Sequence, residues 1–241
     1  MKTKIIMGLL VVIPVLVFTC SYGQDAQNPE VKSGFYTEKF GDLNIEGNYT
    51  NGQKEGVWIT YFPTGYLNKV EEYHQGKKNG LFIEFSSKGE IISQAYYKDD
   101  KLDGISKKYG RAGKFEWVKS YRMNKLHGLV QMFYDGGKLQ EEAWYSQGQR
   151  DSITTWYDNQ GNKIMKTNYS AGLFDGISYT YFSNGQVKSE TTYAGNVVNG
   201  AFKEYDEEGR LRVSGQYENG VKEGTWFSYD VSGKVVSKEK F

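Results

Sequence analysis

A column of polar residues that recurs every 24 positions is the first candidate for chemistry in this chain. Each member directly precedes a glycine or its one serine substitute: Glu55, Asn79, Asp103, His127, Asp151, Asp175, Asn199 and Glu223. Such side chains could ligate a cation, but two strands would separate neighbouring members by about 10 Å. Calcium ligands all lie within about 2.5 Å of one ion. The spacing therefore argues against a metal site and favours side chains that hydrogen-bond their own turns.

The sequence offers no other arrangement typical of catalysis or cofactor binding. The same spacing is too wide for neighbouring carboxylates to form a retaining glycosidase pair, which needs about 5 Å. His74 and His127 fall in turns between repeats, and no hydroxyl or thiol has the local context of an activated nucleophile. The glycines lack the strand-to-helix setting of a phosphate-binding loop. We therefore expect no enzymatic activity, no cofactor and no metal.

The repeat that positions these residues also indicates the fold class. Steps of 24 residues join glycines from Gly56 to Gly224, with Ser152 as the exception, and a second glycine series from Gly65 to Gly233. A fixed period of this size indicates a repeat architecture. The 20 Tyr, 29 Gly and 3 Pro favour strands and turns. We predict an all-β fold, an antiparallel β-hairpin repeat array forming a single-layer twisted or curled sheet. It has eight 24-residue units plus an N-terminal half-unit from Phe40.

Apolar residues within each unit recur at even offsets. Val57 and Tyr61 represent two columns of the first segment, and Leu67 and Tyr73 represent the start and end of the second. Residues at even offsets in a strand face the same side. We therefore predict that all four columns share one aromatic and aliphatic face, which is interpreted as core.

Aromatic residues outside those columns are the candidate partner contacts. Most lie on the opposite parity, and a single-layer sheet has no second layer to cover an apolar face. The alternative is that the main columns themselves form a groove for a strand, a helix or a glycan. The seven candidate contacts are Trp58, Phe82, Trp117, Trp144, Trp156, Phe202 and Trp226.

The N-terminus is typical of an exported protein. Lys2 and Lys4 precede an apolar run at 5–18 that is short for a membrane span but suits a signal peptide. One interpretation places cleavage before Gln24. The other takes residues 17–20 as a lipobox, which would lipidate Cys20 and associate the chain with a membrane. We predict a signal peptide at 1–23, a flexible tether at 24–33 and the repeat domain at 34–241. The expected location is the periplasm, the outer membrane or cell surface, or the exterior.

The repeat resembles the MORN repeat, in the variant found in bacterial antitoxin-like repeat proteins. The pattern is Tyr-x-Asn-Gly-x-x-x-Gly-x-Trp-x-x-Tyr-x-x-x-Gly-x-Leu, and it covers residues 40–241 in successive copies. In one copy it is formed by Tyr49, Asn51, Gly52, Gly56, Trp58, Tyr61, Gly65 and Leu67. The resemblance implies scaffolding, protein contacts, dimerisation and binding of lipid head groups.

The sequence thus predicts a non-catalytic repeat scaffold for protein–protein interaction at the bacterial cell envelope, with a protein partner. One alternative is a cell-wall or glycan-binding module, and another is an antitoxin-like neutraliser of an exported toxin. With 30 basic and 29 acidic residues, the net charge of +1 does not favour nucleic acid as a partner.

Overall fold

The computed structural model describes residues 31–241. The predicted signal peptide, Cys20 and most of the predicted tether lie outside the described residues. The described part contains a 3₁₀ turn at Arg111–Gly113, and none of its helices is long and apolar enough to cross a membrane. Its strands are β1 (Gly34–Phe40), β2 (Leu43–Thr50), β3 (Gln53–Tyr61), β4 (Leu67–His74), β5 (Lys77–Phe85), β6 (Ile91–Lys98), β7 (Lys101–Leu102), β8 (Gly104–Tyr109), β9 (Phe115–Arg122), β10 (Lys125–Phe133), β11 (Leu139–Ser146), β12 (Gln149–Tyr157), β13 (Lys163–Ser170), β14 (Leu173–Phe174), β15 (Gly176–Tyr181), β16 (Val187–Ala194), β17 (Val197–Tyr205), β18 (Leu211–Glu218), β19 (Val221–Tyr229) and β20 (Val235–Lys240).

These strands form one open antiparallel sheet in which each strand pairs with the next along the chain. The short strands β7 and β14 are the first parts of interrupted strands, because β6 pairs with both β7 and β8, and β13 pairs with both β14 and β15. The predicted all-β antiparallel hairpin array is confirmed.

Two kinds of turn alternate along the sheet. Within each unit a turn closes with a glycine of positive φ. In the first of them Gly65, at φ 84°, donates its N–H to the Phe62 carbonyl at 2.9 Å. Between units the two turn residues both have positive φ, as at Asn51 (50°) and Gly52 (77°). Two consecutive residues with positive φ define the type I′ hairpin turn, whose twist matches that of the strands. We call the ends of the units that carry these type I′ turns the hairpin tips.

The predicted half-unit is in fact a complete hairpin made of β1 and β2. Gly34 has φ 104°, like the glycines that begin other units, and the Lys32 carbonyl accepts the Gly52 N–H at 2.8 Å. The Lys54 carbonyl accepts the Gly76 N–H in the same way at 2.9 Å. The 24-residue period does not reveal this unit, because only Gly41 and Asp42 connect its strands and the unit is therefore shorter. Lys32 therefore belongs to the array, not to the tether.

A bulge in each of the eight 24-residue units divides the apolar columns between the two faces. Thr60 pairs with Lys69 and Tyr61 with Leu67, so Asn68 has no partner on β3. This extra residue reverses the alternation along β4, so Leu67 and Tyr73 face opposite sides despite their even offset. The prediction of one shared face is therefore wrong.

We call one side the packed face and the other the open face. The open face carries the Val57 and Tyr61 columns. The packed face carries the column that ends each unit, from Tyr49 to Tyr217, and the column from Trp58 to Trp226. Nearly all the buried side chains lie on the packed face: Trp58, Thr60, Phe82, Ser106, Val130, Ala143, Thr154, Thr167, Ser178 and Trp226.

Candidate interaction surface

The buried tryptophans of the packed face lie over glycines of the neighbouring strand. Trp58 is 1% exposed, and a Cβ placed on Gly47 would come within 2.4 Å of its ring. Its indole N–H donates to the Asn48 carbonyl at 3.1 Å. Tyr49 meets the ring edge-on at 4.8 Å between centroids. Trp226 repeats this arrangement over Gly215 and beside Tyr217.

Lysines cover these aromatic clusters from the solvent side. The Lys54 ammonium lies 4.2 Å from the Trp58 ring centroid and 4.9 Å from that of Tyr73. Lys222 lies 4.3 Å from the Trp226 centroid. Cation–π contacts of this kind stabilise by about 0.5–1 kcal/mol each at exposed sites. At both ends of the packed face, the aromatic rings and the lysine ammonium groups therefore stabilise one another.

The middle of the packed face is packed by different residue types. Small residues such as Thr154 and Thr167 replace the large rings, and both are buried. Arg150 replaces the lysine, forms an ion pair with Glu141 and donates to the Thr154 hydroxyl at 3.3 Å. Its guanidinium also lies 5.6 Å from the Trp156 centroid. The substitutions in this unit thus form a local core.

Several of the predicted contact residues belong to this packing. Trp58, Phe82 and Trp226 are buried, so predicting them as accessible partner contacts was wrong. Phe202 stacks on Trp226 at 5.4 Å between centroids. Trp117 and Trp156 are half-buried on the packed face. The cause is again the bulge at Asn68, which places the Tyr73 column on the same side as Trp58.

Trp144 differs from the other predicted contact residues. It lies on the open face, opposite Leu129 on the neighbouring strand, and it is 50% exposed. Tyr96, which pairs with Leu81 in the same way, is 47% exposed. The contact role of Trp144 therefore stays a prediction. The structure adds Tyr96, which is not among the seven candidates from the sequence.

These two rings border a continuous aliphatic row on the open face, which we call the stripe. It is the Val57 column, interpreted from the sequence as core, but the structure leaves most of it exposed: Val57 is 51%, Ile105 46% and Ile177 38% exposed, whereas Leu81 and Leu129 are half-buried. Equivalent residues follow one another every two strands, about 10 Å apart. The stripe consists of Val57, Leu81, Ile105, Leu129, Ile153 and Ile177.

The polar column beside the stripe does not form a metal site. Among residues 31–241, no group of three His, Cys, Asp or Glu side chains is placed to hold a metal ion. Glu55 accepts hydrogen bonds from His74 at 2.9 Å and from the Gln75 N–H at 2.8 Å. These two hydrogen bonds hold the pKa of Glu55 below its usual range, and the bond from the Gln75 N–H is the larger cause. The carboxylate thus joins successive hairpins and does not cap its own turn.

The hairpin tips are also joined to one another. The second residue of each tip donates its N–H to a carbonyl of the preceding tip, 22 residues earlier except at the first tip, as Asn124 does to Leu102 at 2.9 Å. Where that residue is Asp or Asn, its side chain also accepts the partner's N–H, as at Asp100 from Lys78 (2.8 Å) and at Asn124 from Leu102 (2.6 Å). Asp100, which departs from the common glycine, therefore adds a bond between units.

The spacing of these features is that of a known repeat. Four segments match the family described as MORN repeat variant. They are residues 78–99, 126–147, 174–194 and 198–219. Each matched segment ends at the first residue of a hairpin tip or one residue before it, and the first three each contain one stripe residue. The four segments are thus similar to MORN repeats, and this similarity is compatible with a non-catalytic β-hairpin scaffold. No curated protein matches the chain.

Proposed function

We propose that this MORN-type array is a non-catalytic scaffold that binds a protein partner through the stripe of the open face. The observation that carries the proposal is a row of six aliphatic residues in consecutive units, of which four are exposed and two are half-buried, with the exposed rings of Trp144 and Tyr96 beside them. Contiguous exposed apolar surface of this kind is typical of protein-binding sites. Large aromatic residues are the commonest anchors of such interfaces.

The proposed site of action is the bacterial cell envelope. This part of the proposal rests on the charged and apolar pattern of residues 1–23, which is typical of an export signal. Lipidation of Cys20 would add a membrane anchor. The burial of Trp58 and Trp226 removes the periodic aromatic surface that a glycan-binding function would use.

The test is capture of partners by the tagged full chain from cross-linked envelopes, with and without muramidase. A discrete protein recovered in both samples supports the scaffold. Trp144→Ala should reduce its recovery several-fold, because the exposed ring is lost. Tyr66→Ala is the matched control, since Tyr66 is an equally exposed aromatic residue (58%) in a turn away from the stripe. Recovery of wall fragments that disappear with muramidase would contradict the proposal.

A further inference from the structure

One turn inside the array differs from its equivalents in its first residue. We call the turns that close with Gly65 and its equivalents the glycine turns. Gly110 begins the glycine turn of the third 24-residue unit, and its N–H donates to the Lys114 carbonyl at 2.7 Å. Its φ of −99° and ψ of −151° are an extended conformation, so the turn does not require glycine at this position. The equivalent residues of the other seven units all have side chains: Phe62, Ser86, Tyr134, Asp158, Phe182, Asp206 and Asp230.

The seventh unit shows what a carboxylate does at this position. Asp206 accepts the backbone N–H of Glu208 at 3.2 Å and that of Arg210 at 2.9 Å. Its second oxygen also accepts the Nε–H of the Arg210 side chain at 2.9 Å. Asp158 and Asp230 accept N–H groups of their own turns in the same way. A glycine turn of this array therefore binds a carboxylate through its backbone N–H groups and a neighbouring cation.

The turn of the third unit has the cations but not the carboxylate. Lys114 stands where the seventh unit has Arg210, and Arg111 precedes it in the same turn. Within residues 31–241, neither of these two side chains forms an ion pair. Gly110 has no side chain that could accept the N–H groups of the turn. Ala112 has a φ of 56°, in the left-handed region that is costly for a residue other than glycine, and strain of this kind is common at ligand sites.

A cavity of about 240 Å³ lies beside this turn. Gly110, Arg111 and Lys114 line one part of it. The rings of Phe115 and Phe133 line another part, 5.7 Å apart between centroids. Sites for drug-sized ligands measure about 300–1,000 Å³, so this smaller cavity suits a small molecule or a single terminal residue.

The charges around the cavity leave one positive charge in excess. Glu116 and Asp135 also line it. Glu116 lies closest to Gly110, with its Oε1 3.3 Å from an ideal Cβ there, but its carboxylate pairs with Lys108 at 2.8 Å. The cations Lys108, Arg111 and Lys114 thus face the carboxylates of Glu116 and Asp135, three against two. A ligand with a single carboxylate would balance them.

We propose that this cavity binds a monocarboxylate that carries an apolar or aromatic group. The carboxylate takes the position that the Asp206 carboxylate has in its own unit, next to the turn N–H groups and Lys114. Hydrogen bonds between charged groups of this kind are the strong ones. The apolar group lies against Phe115 and Phe133. A free organic acid and the carboxy-terminal residue of a protein both offer this chemistry. The cavity contains no residue of the stripe, so the inference goes beyond the proposed function.

Titration of the ¹⁵N-labelled full chain with 3-phenylpropionate tests the site. The amide resonances of Ala112 and Gly113 should shift and saturate, because the ligand carboxylate accepts hydrogen bonds at this turn. The neutral 3-phenylpropanamide has the same shape and should leave both resonances in place. Absence of a shift with the acid, or equal shifts with the acid and the amide, would overturn the inference.

Two variants should change the affinity in opposite directions. Gly110→Asp supplies the carboxylate from the chain itself and should weaken binding by on the order of tenfold or more, since like charges then compete for one position. Glu116→Gln removes the nearest carboxylate and should strengthen binding several-fold. Unchanged binding in Gly110→Asp would contradict the proposal.

A lysine pair provides the matched control. Lys114→Gln should weaken binding several-fold, because the cation beside the ligand carboxylate is lost. Lys234→Gln changes the equivalent lysine of the last unit, whose turn already holds the Asp230 carboxylate, and should leave binding unchanged. Equal effects of the two substitutions would show that the acid binds by general charge attraction and not at this cavity.

Two peptides distinguish the sources of the carboxylate. A pentapeptide that ends in phenylalanine with a free carboxy terminus should shift the same two resonances, and its amidated form should not. Tighter binding of this peptide than of 3-phenylpropionate supports the site as one for a protein's carboxy terminus. Equal or weaker binding supports it as a site for a free acid. Partner capture through Trp144 is measured separately, so failure of this inference and failure of the proposed function are distinguishable.

Discussion

At the scale of single residues, the packed face depends on pairing large rings with small neighbours. Trp58 and Trp226 occupy the space above Gly47 and Gly215, where a methyl group would lie 2.4 and 2.2 Å from ring carbons. Both glycines lie within strands and neither has a positive φ. Their role is to leave room for a ring, which distinguishes them from the turn glycines of the array.

Gly215→Ala should therefore destabilise the protein. Overfilling a packed site costs about 1–3 kcal/mol, and the Trp226 ring cannot move away without breaking its N–H bond to the Gln216 carbonyl (3.2 Å). Chemical denaturation followed by tryptophan fluorescence measures the loss. Gly136→Ala is the control, because no atom lies within 4 Å of a Cβ there and its φ is not positive. Equal effects of the two substitutions would contradict this account.

Substitution of Ser152 should also change the stability of the protein in a predictable direction. It replaces the glycine that begins the other units and keeps a positive φ of 66°. A non-glycine residue in this region costs on the order of 1–3 kcal/mol, while glycine costs up to about 1 kcal/mol through the unfolded chain. Ser152→Gly should thus stabilise the protein by about 1 kcal/mol in urea denaturation. Ser237→Gly, in the extended strand β20, should not stabilise it.

The tyrosines predict how stability depends on pH. The hydrogen bond to Glu46, followed by burial, raises the pKa of Tyr61 to about 12, and burial raises the pKa of Tyr73 to about 12. The folded state then holds protons that the unfolded state has lost above pH 10. This contribution to stability is complete below pH 10 and is lost as the pH rises towards 12. Denaturation midpoints between pH 9 and 12 check it, and Tyr61→Phe should flatten the decline.

At the scale of elements, the sequence predicts the strands and turns well but not the faces they present. The glycine column at Gly65 and the Asn51-Gly52 pair both reveal their turns, because only certain residues tolerate positive φ. The bulge at Asn68 leaves no such trace, since any residue can occupy it. The equivalent positions hold Ile92, Glu116 and Gln140. Alternation counted along the sequence therefore assigns the wrong face to every strand residue that follows the bulge within its unit.

Bonds between hairpin tips predict an effect for Asn124. Its side-chain oxygen accepts the N–H of Leu102, which lies in the preceding tip, at 2.6 Å. Asn124→Gly keeps the positive φ but removes this bond, and should destabilise the protein by about 1 kcal/mol. Asn219→Gly is the matched control, because Asn219 also has a positive φ (49°) but occupies the first position of its tip. Thermal melting of both variants checks the difference, and a stable Asn124→Gly protein would contradict the role of the bond.

At the scale of the whole molecule, the array is held together by contacts between neighbouring strands. The period predicts this property, but it does not predict the stripe. Ile105 and Ile177 are exposed because the large rings of the packed face lie on the opposite side of the sheet. The bulge determines which columns share that side. The fold could thus be predicted from spacing alone, whereas the candidate surface needed the register.

Nearest-neighbour stability predicts that one whole unit can be removed. Deleting residues 177–200 joins Gly176 to Ala201 and keeps the strand order. Phe202 would then pack beside Thr167, which replaces the identical residue Thr191. The protein should stay folded, with its urea m-value lower by about one ninth, because m follows the surface exposed on unfolding. Deleting only residues 177–188 removes a single strand and reverses the direction of every later one. That variant should lose cooperative unfolding. Two results would show that units do not fold by local pairing: a cooperative transition in this 12-residue deletion, or the absence of a cooperative transition in the 24-residue deletion.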